Sequence, residues 1–358
     1  MTVNFFGDSI TVGNGVTTAQ SYPYIFATTI GQSYNNYAVN GSMAADQSWK
    51  NQTVTPSDIS VFNLGVNDSW HYGTSAQKRA AFIKFLRSLV VCQLSPDYIN
   101  ARSMSKTGPW TNVPASTGDY LGCFTDVSGS TATASVRGKS IYVHYLLQSQ
   151  PTSESVFNIY VDNVLKDTIT LDGVAVGNTY LGKDYSNACV RVSGLSDGLH
   201  TVKVESISGN RLFLEGVSGS FQNSKKVGYV SNIIKSTAAY YALRGNGNGV
   251  PNITLYNTDI QTMVDELTLD GFMVKVFDSF SVIDPDTETH DGLHPNSAGH
   301  TDIANKLLEV FYSGFQFGSG SGPCTPVPCA PLNGHVTMTG KNLDLLYSAG
   351  VLQSVTIT

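Results

Sequence analysis

Charge is what this chain has least of. Asp, Glu, Lys and Arg make up 13% of its 358 residues, about half of the roughly 25% usual in a soluble domain. Lys and Arg number 21 against 27 Asp and Glu, a formal charge of −6, and no basic run could neutralise a line of phosphates. Nucleic acid is therefore not an expected partner. No apolar stretch reaches the roughly 18 residues of a membrane span, and Thr2-Val3-Asn4-Phe5-Phe6 reads as a strand where a signal peptide would lie, so neither membrane nor leader is expected. Cysteine is scarce too. Five in a chain of this length, with no repeated C-x2-C, exclude a disulfide scaffold and a structural zinc site. Cys123 with Cys189, or Cys324 with Cys329, could pair, but free thiols are the default expectation.

What is present divides into three textures. Residues 2–104 begin as α/β: a strand through Phe6, a helix from Tyr22 to Ile30, short strands near Tyr34–Val39 and Ser60–Gly65, then helical spacing through Ala76, Ala80, Ile83, Leu86 and Val90. Residues 105–222 carry short period-2 runs, such as Ile141-Tyr142-Val143-His144-Tyr145 and His200-Thr201-Val202-Lys203-Val204, separated by Gly, Asp, Asn and Ser turns. That pattern predicts an all-β sandwich or jelly roll of roughly eight strands. From 223 to 314 the α/β texture resumes, so the β block reads as an insertion. Its aromatics Trp110, Tyr120, Tyr142, Tyr145, Tyr160, Tyr180 and Tyr185 read first as core and second as surfaces for stacking on sugars. Residues 315–358 open as a Gly/Ser/Pro linker, carry only Lys341 and Asp344 as charges, and are too short for a core of their own. Such a segment is expected to pack against the rest of the chain, a second copy or a virion assembly.

Three short motifs carry the chemistry, two of them where an open α/β sheet places its ligands, at the carboxyl ends of strands, and the third before the closing helix. Gly7-Asp8-Ser9 follows the first strand and can hold a serine hydroxyl on a turn. Gly65-Val66-Asn67-Asp68 follows another; the Asn67 amide could point at a developing oxyanion, with the N–H groups of Ser9 and Gly41 as companions, while Asp68 reads best as a loop brace. Asp291-Gly292-Leu293-His294 precedes the closing helix and can supply a base and the carboxylate that orients it. His290 and His300 remain competitors by spacing alone. Trp70 and His71, directly after Asn67-Asp68, are candidates for lining a substrate pocket, with Asp8 and Asp68 beside them. The acidic run Asp284-x-Asp286-x-Glu288 lacks the glycine and distal glutamate of an EF-hand and reads as a solvated loop.

Taken in order, Gly7-Asp8-Ser9, Gly41, Gly65-x-Asn67-Asp68 and Asp291-x-x-His294 resemble the four blocks of the SGNH (GDSL-like) hydrolase family. The resemblance covers roughly residues 2–104 and 223–314. It implies a discontinuous flavodoxin-like three-layer α/β/α domain over 1–104 and 223–314, interrupted at 105–222, with 315–358 outside it. It also implies Ser9 as nucleophile, His294 as base, Asp291 as its acid, and Ser9 N–H, Gly41 N–H and Asn67 as oxyanion hole, with no cofactor and no metal. The insert is similar to carbohydrate-binding sandwiches, and the whole to polysaccharide deacetylase domains of bacteriophage tail proteins. The expected substrate is therefore an O-acetylated polysaccharide, in an extracellular or virion-associated setting. A lipid or thioester hydrolase, or a glycan-binding adhesin with a vestigial esterase domain, are the alternatives.

Overall fold

A computed structural model describes residues 1–113, 121–148, 155–171, 185–221, 226–243 and 249–314, together with the strands Val336–Met338, Lys341–Ser348 and Val351–Ile357. The chain divides into two units, Met1–Gly314 and Phe315–Thr358.

In the larger unit the α/β texture forms one parallel sheet. Its strand order is Met273–Phe277, Val227–Ser231, Ile59–Asn63, Thr2–Gly7, Ser33–Asn36. Numbered along the chain this is the 2-1-3-4-5 order of a doubly wound sheet, which reverses direction between Thr2–Gly7 and Ile59–Asn63. Those two interior strands are almost wholly buried, their polar residues included, because both of their faces are covered. On one face Phe5 meets the rings of Tyr22 and Phe26, and Phe26 meets Phe311, so helices Tyr22–Thr29 and Ser297–Tyr312 lie there. On the other lies helix Ala76–Leu94, joined to Gly249–Asp270 by the Phe82–Tyr256 contact. The edge strand Ser33–Asn36 is polar and largely exposed, as an edge tolerates.

Between the two halves of this sheet the chain builds two antiparallel sheets. One has the order Val164–Leu171, Ser155–Val161, Leu199–Ser206, Thr131–Arg137, Ser105–Thr107; the other runs Tyr185–Val192, Ile141–Gln148, Leu212–Gly219, Cys123–Thr125, Thr111–Asn112. Ile99–Asn100 also pairs with Leu212–Gly219, so the β region begins before residue 105. The Tyr145 and Phe157 rings meet across the two sheets. Ser155–Val161 keeps the expected alternation of buried and half-buried residues. Leu212–Gly219 does not: every residue is buried, because its sheet packs on the other sheet on one side and on helix Ala76–Leu94 on the other, where His144 hydrogen-bonds to Ser88 and Ser218.

Cys92, Cys123 and Cys189 are buried free thiols, so Cys123 and Cys189 do not pair; Cys324 and Cys329 lie outside the described residues. The smaller unit holds a three-stranded antiparallel sheet that the linker-like composition did not suggest. The linker itself lies outside the described residues.

Candidate functional site

The site forms where the sheet order reverses, at the carboxyl ends of Thr2–Gly7 and Ile59–Asn63. Gly7 has no side chain because there is no room for one: a Cβ would fall 2.1 Å from Thr11 Oγ1 and 2.9 Å from the Asn63 carbonyl. The chain then turns directly into the short helix Ser9–Val12. Asp8 is its N-cap, accepting the Ile10 N–H at 3.0 Å. This leaves Ser9, 6% exposed, at the start of the helix with its hydroxyl facing the closing loop.

That loop brings His294 to it. Ser9 Oγ lies 2.9 Å from His294 Nε2, and His294 Nδ1 lies 2.7 Å from Asp291 Oδ2. A carboxylate can only accept, so Nδ1 carries the proton and Nε2 is left to accept from the serine. The other Asp291 oxygen receives the N–H groups of Leu293 at 3.0 Å and His294 at 2.8 Å. Partial burial would raise the Asp291 pKa, but these hydrogen bonds and the histidine ring outweigh it and hold the carboxyl below its usual range. The competing histidines are placed elsewhere. His300 is fully buried, stacks on Tyr22 and takes the Tyr22 N–H on Nδ1; burial pushes its pKa down to about 4. His290 is exposed and lies beside His294, not beside Ser9.

Gly41, at φ 75°, and Asn67 come from neighbouring segments that bind each other. Asn67 Nδ2 donates to the Ser42 carbonyl at 3.0 Å, which uses one of its two amide hydrogens. Ser42 Oγ donates to the Gly7 carbonyl at 3.0 Å. Asp68 accepts the Ala44 N–H on both oxygens, and Asp46 accepts the Met43 N–H at 2.9 Å. Ser42, Ala44 and Asp46 were not singled out from sequence, although the acid three residues after Met43 is a helix-start signal that could have found this loop.

Two of the expected pocket residues are corrected. Asp8 and Asp68 are both fully buried and line no open surface. Asp8 caps and Asp68 braces, because each accepts a backbone N–H, from Ile10 and Ala44 respectively. Burial raises the Asp8 pKa to about 7 despite the Ile10 N–H; at Asp68 burial first, then Asp46 and Asp8, push the carboxyl well above its usual range despite the Ala44 N–H. Trp70 and His71 are more open, with ring centroids 4.6 Å apart. They stand three and four residues after Asn67 on helix Val66–Tyr72, and so share its face. In the β region Tyr142 and Tyr145 are core, whereas Tyr160 lies under the Lys203 ammonium, 3.8 Å from the ring centre. Tyr120 and Tyr180 lie outside the described residues. Asp284 and Glu288 brace their own loop: Glu288 accepts the Asp284 N–H at 2.7 Å, and Asp284 accepts those of Asp286 and the Thr287 hydroxyl. A separate cleft of about 620 Å³ lies between Thr55, Tyr98, Arg102 and Lys226, at the amino-terminal end of the parallel strands and away from Ser9.

Residues 5–117, a stretch that holds Ser9, Gly41 and Asn67, match the family described as GDSL-like Lipase/Acylhydrolase. No curated protein matches the chain significantly. Among solved structures the chain is similar to a lipolytic protein of the G-D-S-L family from Veillonella parvula, at 13% identity and TM-score 0.41, over 87% of this chain and 98% of that one. It is also similar to a two-domain esterase active on acetylated mannans, at 12% identity and TM-score 0.37, over 63% and 91%. A family 35 carbohydrate binding module from Clostridium thermocellum aligns at 13% identity and TM-score 0.26, over 34% and 93%.

Proposed function

We propose that the protein is a serine esterase that removes O-acetyl groups from a polysaccharide. The observation that carries the esterase reading is the continuous Ser9–His294–Asp291 hydrogen-bonded chain at the reversal point of the sheet. Ser9 Oγ attacks the ester carbonyl while His294 Nε2 takes its proton, and Asp291 holds the ring in the required tautomer and stabilises the imidazolium. Negative charge on the carbonyl oxygen is met by the N–H groups of Ser9 and Gly41 and by the second amide hydrogen of Asn67. His294 returns its proton to the leaving sugar oxygen. It then activates a water that releases acetate from the acyl-enzyme.

The polysaccharide part rests on shape and texture. Trp70 and His71 put aromatic surface on the same helix face as Asn67, the arrangement that suits a sugar ring held beside its ester. The inserted β-sheets, read as a jelly-roll carbohydrate-binding sandwich, would extend that contact. The bacterial-surface and virion settings rest on the sequence resemblance alone. Acetate released from a panel of O-acetylated polysaccharides, run beside esters and thioesters of increasing chain length, tests the reading. Acetate release with acetyl preferred is expected; preference for long acyl chains would move the protein to a lipid or thioester hydrolase, and binding without turnover to an adhesin.

A further inference from the structure

The loop that supplies His294 carries a second imidazole that the proposed reaction does not use. His290, Asp291 and His294 each present one ligand atom, and the three lie within 4.8 Å of one another. The loop holds them there. The His290 N–H donates to the His294 carbonyl at 3.0 Å, Thr289 pairs with Pro295, and the Gly292 N–H donates to Thr289 Oγ1 at 3.1 Å. The His290 ring lies over Gly15, where a Cβ would fall 2.0 Å from its Cε1. It stands nearly parallel to His294, at 25° with centroids 5.7 Å apart.

We propose that His290, Asp291 and His294 form a site for a divalent transition-metal ion, and that metal bound there switches the esterase off. Two imidazoles and one carboxylate are a donor set that zinc accepts, with its remaining position open to water on this exposed loop. Inhibition follows because two of the ligands are shared with the reaction. Metal on His294 Nδ1 occupies that lone pair and moves the ring's one proton to Nε2, the atom that must accept from Ser9. Metal on Nε2 takes the accepting lone pair itself. Either way the base is lost. The inhibitory half rests on the proposed role of His294; the binding half does not.

The test is zinc titration of the full chain by calorimetry, with hydrolysis of a small acetyl ester followed in parallel, for the wild type, His290→Ala and His290→Phe. The phenylalanine keeps a flat ring over Gly15 and removes the nitrogen ligands. In the wild type one zinc should bind, activity should fall with the same midpoint, and a chelator should restore it. Both variants should hydrolyse normally without zinc and need at least about tenfold more zinc for binding and inhibition. Equal zinc affinity in wild type and variants, or equal inhibition, would overturn the proposal. A chain that binds zinc through His290 but hydrolyses nothing would leave the site standing and remove the esterase reading instead.

Discussion

Asp8 stands between the glycine that closes the turn and the serine that faces His294, and its burial makes the fold resist its ionisation. One oxygen receives the Ile10 N–H; the other, buried, has no hydrogen-bond partner among the described residues. With its pKa raised to about 7, the folded chain keeps its proton where the unfolded chain has already released it, between about pH 4 and pH 7. Stability from this group is thus greatest in acid and is lost as pH rises to about 7, by up to ~1.4 kcal/mol per pH unit. Asp8→Asn keeps the cap acceptor and cannot ionise, so its urea midpoint should gain on the wild type as pH rises through that window and run parallel above it. A pH-independent difference would contradict the assignment. At the oxyanion side, Asn67→Ala should lower kcat about 10²–10³-fold with KM little changed, because its free amide hydrogen meets charge that exists only in the transition state; steady-state kinetics on a small acetyl ester check it. Ser9 and Asn67 were legible as short motifs at strand ends, and His294 as one before the closing helix. The burial of Asp8 and Asp68 was not, since Gly-Asp-Ser and Asn-Asp look polar and loop-like in sequence and the Ala44 N–H that meets Asp68 comes from a distant segment.

At the scale of elements, the joint between the parallel sheet and the β region is polar. Asp270, the last residue of helix Gly249–Asp270, accepts Arg191 Nε and Nη2 at 2.6 Å each, the Ser140 hydroxyl at 2.6 Å and the Tyr142 hydroxyl. Arg87 and Arg191 both reach Glu266 one turn earlier. The Asp270 side chain is 5% exposed and that of Arg191 19%, so removing one partner strands the other in a poorly solvated joint. Asp270→Ala should therefore cost about 3–5 kcal/mol, read as a lowered midpoint of denaturation. Loss below about 1 kcal/mol would mean the joint is held by its apolar contacts. No local pattern reveals this pairing, because Arg191 and Asp270 are far apart in sequence and each looks like an ordinary surface charge. The helix Ala76–Leu94 was legible because it is long enough to show a period. Ala44–Ser48, Lys50–Thr53 and Val66–Tyr72 are too short to show one, and Val66–Tyr72 carries Asn67. Leu212–Gly219 departs from alternation for a tertiary reason, a helix on its second face.

For the whole molecule, the low charge of the sequence is most marked in the smaller unit. The larger unit contains every residue of the candidate site, while Phe315–Thr358 carries two charges and forms its own three-stranded sheet. A chain ended at Gly314 should accordingly keep its kcat/KM on a small acetyl ester within about twofold, a ratio that sits inside ±0.5 kcal/mol; a larger loss would place the carboxyl-terminal unit in the reaction. The central claim is that Ser9, activated by His294 and Asp291, is the nucleophile. The most direct measurement is kcat/KM for 4-nitrophenyl acetate with the wild type and with Ser9→Ala, each verified as folded. The expected result is turnover by the wild type and a loss of at least about 10³-fold in the variant. Turnover that survives the loss of the Ser9 hydroxyl would contradict the account.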